Sequence, residues 1–314
     1  SISSSSAGSL SRLSSTKNFS TRSLESLFLK RRLIPHRLEK MPRALSRITV
    51  PWVKIALDEH QHAKPMMDWV FLLLLVTFAA ATVQSATGFG FGLIAVPAFL
   101  IVLDSAEAIQ LVIIITLAMS CVHWPKLRGI APRHLLKWLS FGCLLGFPLG
   151  IFAYAQMDLE AIKMTVALLI ILISLENGWN RFGQGKIRLP SELEELRPAV
   201  LTGVGVGSGL MASSLAMPGP AVMLYLSRTG LEKNQIRATI LTYFIFAYGG
   251  ALLMQTALIG IESETWLNAA FLIPAALVGV VAGDLISKKI NQQLFEALVL
   301  MILLFTGIFM LLNR

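Results

Sequence analysis

The chain has 314 residues, 55% of them hydrophobic and 14% charged, and its mean hydropathy is +0.68. A soluble domain carries about 25% charged residues to wet its surface, so an ordinary soluble globular protein is excluded. The net charge of +9 does not point to nucleic acid. Residues 1–67 hold 12 Lys/Arg against 4 acids, and the remaining 247 residues hold 15 against 14. The basic segment also lacks a stacking motif and an amphipathic recognition helix.

Residues 1–65 are unlike the rest. Ser1–Ser23 is rich in serine, carries arginine and lysine, and contains no acid before Glu25, which is the composition of a transit peptide. The apolar part begins directly after Met66-Met67. The extension is therefore expected to be disordered or to lie upstream of the native start, and it has too little apolar surface to bury a core of its own. The two cysteines, Cys121 and Cys143, sit inside apolar runs and read as small hydrophobes rather than a disulfide pair.

From Trp69 onward the apolar segments span 69–103, 106–124, 135–155, 159–178, 198–227, 236–256, 266–286 and 292–312. A run of about 20 apolar residues crosses the hydrocarbon of a bilayer as helix. The first and fifth segments are about 30–35 residues long and carry glycine or proline in the middle, which marks them as broken hairpins rather than plain spans.

The halves are similar to each other. A shift of 128 lays Ala86–Ser120 on Ser214–Tyr248 without a gap and puts Val83-Gln84-Ser85 over Met211-Ala212-Ser213. A shift of 133 puts Gly146 and Gly150 on Gly279 and Gly283, two GxxxG pairs suited to close helix packing. Repeats of 66–180 and 198–314, joined by a connector 181–197, follow from this.

Basic residues tend to stay on the cytoplasmic side. Lys126, Arg128, Arg133 and Lys137 mark one loop of the first half, and Arg228, Lys233, Arg237, Lys288 and Lys289 mark two loops of the second. With these loops and the connector inside, 13 of the 15 Lys/Arg after residue 67 are cytoplasmic. That parity requires each broken segment to enter and leave on one side. The expected fold is an all-α polytopic membrane protein of two inverted repeats, each a Gly/Pro-broken hairpin plus three transmembrane helices.

The breaks carry the chemistry. The first contains Gln84, Ser85, Thr87, Gly88, Gly90 and Gly92, and the second Ser213, Ser214, Pro218, Gly219 and Pro220. Glycine and proline interrupt the helical ladder, and backbone amides at a new helix start attract anions. The amide and hydroxyl side chains can bind an anion without the cost of burying a charge. These eleven residues form the candidate substrate site, in the plan of transporters that bind at paired helix breaks near the midplane.

Other polar residues carry less weight. His123 reads as interfacial, and Asp284, Glu176 and Glu296 read as solvated groups near span ends. Tyr243, Tyr248 and Gln255 suit either a cavity lining or helix–helix hydrogen bonds. No HExxH, nucleophile elbow, facing pair of mid-span carboxylates or phosphate-binding GxxxxGK[ST] loop is found, so neither an enzyme nor a pump with its own ATPase is expected, and no cofactor or metal.

Gly88-Phe89-Gly90-Phe91-Gly92-Leu93-Ile94-Ala95-Val96-Pro97 resembles the GxGGGxxxVP signature of the sulfite exporter TauE/SafE family. Met217-Pro218-Gly219-Pro220 is similar to the GGPP-type motif of that family's second repeat, although Phe91, Ala216, Met217 and Pro218 depart from the pattern. The resemblance covers 67–314. It implies a secondary transporter, and an exporter in particular, that moves a small anion such as sulfite or an organosulfonate across a bacterial cytoplasmic membrane, coupled to an ion gradient such as that of protons. A passive anion channel or a membrane scaffold is the alternative, and an intramembrane enzyme fits less well.

Overall fold

The structure is a computed structural model that describes residues 66–182, 197–286 and 292–312. The extension 1–65 and residues 183–196 of the connector lie outside the described residues. Among the described residues ten helices follow one another: α1 (Met66–Thr87), α2 (Phe91–Leu103), α3 (Glu107–Leu127), α4 (Arg133–Gln156), α5 (Leu159–Phe182), α6 (Pro198–Leu215), α7 (Gly219–Leu226), α8 (Lys233–Leu258), α9 (Ser263–Ile286) and α10 (Gln292–Leu312). Six of them, α1, α3, α4, α6, α8 and α9, are long and apolar enough to cross a membrane.

Polarity is distributed inside out. Phe152, Leu253, Leu267 and Phe305 are each at least 67% exposed, while Gln84, Ser85, Ser213 and Gln255 are fully buried. Water would reverse this arrangement, and hydrocarbon selects it.

The helix limits repeat with the sequence. The 128 shift carries the end of α1, Thr87, onto the end of α6, Leu215, and the start of α2, Phe91, onto the start of α7, Gly219. The packing repeats as well: α4 lies on α6, and α9 lies on α1, so each half clasps the broken helix of the other. Glycines permit the approach. A methyl added at Gly146 or Gly150 would run into the carbonyls of Val206 or Leu210, and at Gly279 and Gly283 it would meet those of Phe78 and Thr82. Both GxxxG pairs thus serve close helix packing.

Side-chain contacts separate the bundle into two ends. At one end Lys126 and Arg237 meet Asp284, and Arg228 bonds Glu176 at 2.8 Å. At the other end Lys163 pairs with Asp104, Tyr154 donates to the Ala106 carbonyl at 3.2 Å, and Thr265 donates to Glu107 at 3.2 Å.

Candidate functional site

The first break is a three-residue interruption between α1 and α2. Gly88 and Gly90 take φ of 95° and 117°, left-handed values that a side chain would strain. The chain turns back here, and Gln84, one turn earlier, steadies it: its Oε1 accepts from the Phe91 amide at 3.3 Å. Thr87 closes the turn locally, donating within reach of the carbonyls of Val83 (2.9 Å) and Phe89 (2.6 Å).

The second break uses different residues for the same turn. Ala216, which the 128 shift places on Gly88, takes φ 56° despite its side chain. The Ala216 amide bonds the Ala212 carbonyl at 3.2 Å and the Met217 amide the Met211 carbonyl at 3.1 Å, which closes the helix end. Left-handed backbone costs an alanine roughly 1–2 kcal/mol. The surroundings hold it: Tyr248 donates to the Ala216 carbonyl at 3.0 Å, and Pro218 and Pro220 restart the chain as α7.

The two breaks touch. A Cβ at Gly92 would lie 2.6 Å from the Ala216 carbonyl, and one at Gly219 would lie 3.4 Å from the Phe89 Cβ. Their serines match too. Ser85 Oγ lies 2.9 Å from the Val280 carbonyl and Ser213 Oγ 3.0 Å from that of Phe147, positions that the 133 shift superposes. Ser214 is spent inside its helix, donating to Leu210 at 2.7 Å. All eleven sequence-selected residues therefore sit at or next to this junction, and the hydroxyls of Thr87, Ser213 and Ser214 already serve the backbone.

Beyond the serines the two breaks differ. The second is surrounded by neutral groups: Tyr243 donates to Ser208 (2.9 Å), Ser208 to the Pro218 carbonyl (2.7 Å), and Gln255 to the Ser213 carbonyl (2.9 Å), with Gln110 donating to Gln255 (3.1 Å). Tyr243, Tyr248 and Gln255 are thus engaged in helix–helix hydrogen bonds. The first break instead borders an ionic cluster. Asp284 Oδ1 accepts from Arg237 Nη2 at 2.7 Å and lies 2.9 Å from Ser85 Oγ, and its Oδ2 accepts from Lys126 at 3.0 Å. Arg237 also donates to the Ser85 carbonyl, and His123 Nε2 lies 3.1 Å from Ser85 Oγ.

A cleft of about 420 Å³ opens on this cluster, lined by His123, Lys126, Arg237 and Asp284 among apolar Leu127, Val281 and Leu285. Two buried donors beside the break, Gln84 Nε2 and Arg237 Nε, have no partner among the described residues. A buried unsatisfied donor costs about 1–3 kcal/mol, which makes two of them in one place notable.

The family model described as "Sulfite exporter TauE/SafE" matches residues 73–310, most of the chain and both breaks. The chain belongs to this family. Among curated proteins and solved structures no match is found. TauE/SafE proteins are membrane transporters and not enzymes, which agrees with the all-helical multi-pass architecture described here.

The cluster was the part that the sequence hid. Arg237 and Lys126 count as loop charges in a topology tally, and Asp284 as a span-end acid, yet the three converge. His123, read as interfacial, is only 2% exposed. A signal was available: the two shifts carry His123 to Ala251, Lys126 to Met254, Arg237 to Ile109 and Asp284 to Ile151. Each ionisable group in the cluster has an apolar counterpart in the other repeat.

Proposed function

We propose that this protein is a secondary transporter that exports a small anion, such as sulfite or an organosulfonate, across a bacterial cytoplasmic membrane, with the anion bound where the two broken segments meet. The observation that carries this reading is the junction itself. Two helix breaks abut at Gly92 and Ala216, beside two unpartnered donors and two cations that share one carboxylate. Donors without acceptors and an excess of positive charge suit an anion. The small residues at the junction leave room for its backbone to approach the bound group.

Inverted halves are part of the proposal, because they let the halves rock about a shared site. Support comes from the contacts. Gly142, Gly146 and Gly150 approach Thr202, Val206 and Leu210 in order, so α4 and α6 run the same way. Gly279 and Gly283 approach Phe78 and Thr82, which makes α9 and α1 parallel. Because α3 carries Glu107 to one end and Lys126 to the other, while α8 begins at the Lys126 end, α3 and its counterpart α8 run in opposite directions, as inverted halves require.

Single cysteines test the topology in a background with Cys121 and Cys143 replaced by alanine. Asp104→Cys and Glu262→Cys should react with an impermeant maleimide from outside, and Ile130→Cys and Glu232→Cys only from inside. Reaction of positions 130 and 262 from the same side would sink the inverted arrangement.

Flux tests the function. In proteoliposomes, sulfite, sulfoacetate or taurine should move with saturable kinetics, and Gly92→Ala should cut the rate at least tenfold while the protein remains monodisperse. The reason is that the new methyl presses on the Ala216 carbonyl, a backbone atom that cannot rotate away. Flux that rises linearly with concentration and ignores the substitution would favour a passive channel.

A further inference from the structure

The cleft on the ionic cluster has two kinds of wall. One carries Lys126 and Arg237 with the Asp284 carboxylate between them, and the other is Leu127, Val281 and Leu285. Val281 and Leu285 are not core residues, being 58% and 61% exposed. They end a lane of exposed apolar side chains on α9 that starts at Leu267 and passes Phe271 and Val278. Steps of four, seven, three and four residues keep all five on one side of the helix. At about 1.5 Å per residue the lane is longer than one leaflet, which is half of the roughly 30 Å of hydrocarbon.

The charged end of the lane lies at headgroup depth. Lys126 is next to last in α3, Arg237 is four residues past the start of α8, and Asp284 is two from the end of α9. Trp124, exposed and two residues before Lys126, is of the type that settles between hydrocarbon and water. Two cations against one carboxylate leave one net positive charge. Lys126 spends one of its three ammonium hydrogens on Asp284, which leaves two for a further acceptor.

We propose that this cleft binds an anionic phospholipid, its phosphate on Lys126 and its acyl chains along the α9 lane. A lipid of one net negative charge, such as phosphatidylglycerol, matches the one net positive charge, whereas the ammonium group of phosphatidylcholine would oppose it. A small soluble anion could use the donors but would leave the lane unused. The lipid meets the cluster from the membrane side, at the exposed Lys126. Arg237 faces inward and bonds the Ser85 carbonyl at the break.

The other end of the bundle has no such cluster. The two shifts carry Lys126, Arg237 and Asp284 to Met254, Ile109 and Ile151, so one lipid per chain is bound, in one leaflet. That leaflet is the cytoplasmic one, a clause that rests on the topology proposed above. Binding itself needs no orientation, so it is measured apart from the cysteine test and can fail without it.

Native mass spectrometry reads the site. The full chain, stripped of lipid in detergent, is offered equal amounts of phosphatidylglycerol and phosphatidylcholine with the same chains. The unaltered protein should retain one phosphatidylglycerol with roughly fivefold preference, the effect of one basic residue at a headgroup. Lys126→Gln should bring that preference close to one. Lys137→Gln should leave it intact, because Lys137 belongs to the same basic loop but sits over the Trp138 ring, outside the cleft. No preference in the unaltered protein overturns the proposal, and so does an equal loss in both variants, which would mean diffuse loop charge. Glycerol 3-phosphate, a head without chains, should not displace the lipid even in large excess. Displacement would make this a site for a soluble phosphate and overturn the lipid assignment.

Discussion

Gly142→Ala and Gly146→Ala, introduced together, should lower the melting temperature sharply, whereas Gly203→Ala and Gly207→Ala together should leave it unchanged or raise it slightly. All four are single-methyl additions on the same helix pair, α4 and α6. At Gly142 and Gly146 the methyls would meet the carbonyls of Thr202 and Val206, which are backbone and have no alternative rotamer. The helices would have to move apart, and the Leu139 and Cys143 contacts with Gly205 and Gly209 would loosen along with them. Overpacking costs about 1–3 kcal/mol per site, occasionally more, against a total stability of about 5–15 kcal/mol. Two such sites at the contact between halves can use most of that margin.

At Gly203 and Gly207 nothing lies within 4 Å of the added methyl, so only the helix propensity of alanine acts, about 1 kcal/mol in favour for each residue in water. Size-exclusion chromatography in detergent after a temperature series reads both pairs. Equal melting for the two double variants would mean that α4 and α6 do not meet through these glycines.

The broken hairpins could be read from sequence because their cause is local. Gly88 and Gly90 permit a left-handed turn, and Pro218 and Pro220 forbid a continuous helix, whatever surrounds them. The 128 shift is likewise a property of the chain, and the helix limits Thr87 and Leu215 fall at positions that it relates. Ala216 shows where local reasoning ends. Nothing in its residue type announces a φ of 56°, which is imposed by Tyr248 from α8 and by the prolines that follow.

The ionic cluster was harder because its members lie far apart in sequence and each has an ordinary explanation on its own. Lys126 and Arg237 flank loops whose basic residues already account for topology, and Asp284 sits two residues from the end of its helix. Only the packing of α9 against both α1 and α3 brings the acid to the cations. The serines, by contrast, were found for a reason that turned out to be incomplete. Hydroxyls at a break suggest ligand donors, yet Ser213 and Ser214 bond backbone carbonyls, and it is Ser85, with acceptors on three sides, that stands next to charge.

Arg237→Gln is the change expected to reduce transport most, to a tenth or less of the unaltered rate, while Lys126→Gln should change it by no more than about twofold. The contrast follows from burial and partners. The Lys126 side chain is 64% exposed and meets Asp284 alone, so solvent and salt screen most of what it contributes. Arg237 is 26% exposed, holds both Asp284 and the Ser85 carbonyl, and keeps a further donor, Nε, unspent beside the break.

Truncating one partner of a close, largely desolvated pair costs about 2–5 kcal/mol, much of it the penalty of stranding the other charge. Stranding can be separated from substrate binding. The double change Arg237→Gln with Asp284→Asn removes the stranded carboxylate, so melting should recover toward the unaltered value while flux stays low. Arg237→Lys should not restore flux either, because one ammonium cannot span the carbonyl and the carboxylate as the guanidinium fork does. If the double variant regained both stability and flux, Arg237 would be a structural counter-ion for Asp284, and the anion would have to be held by the break alone.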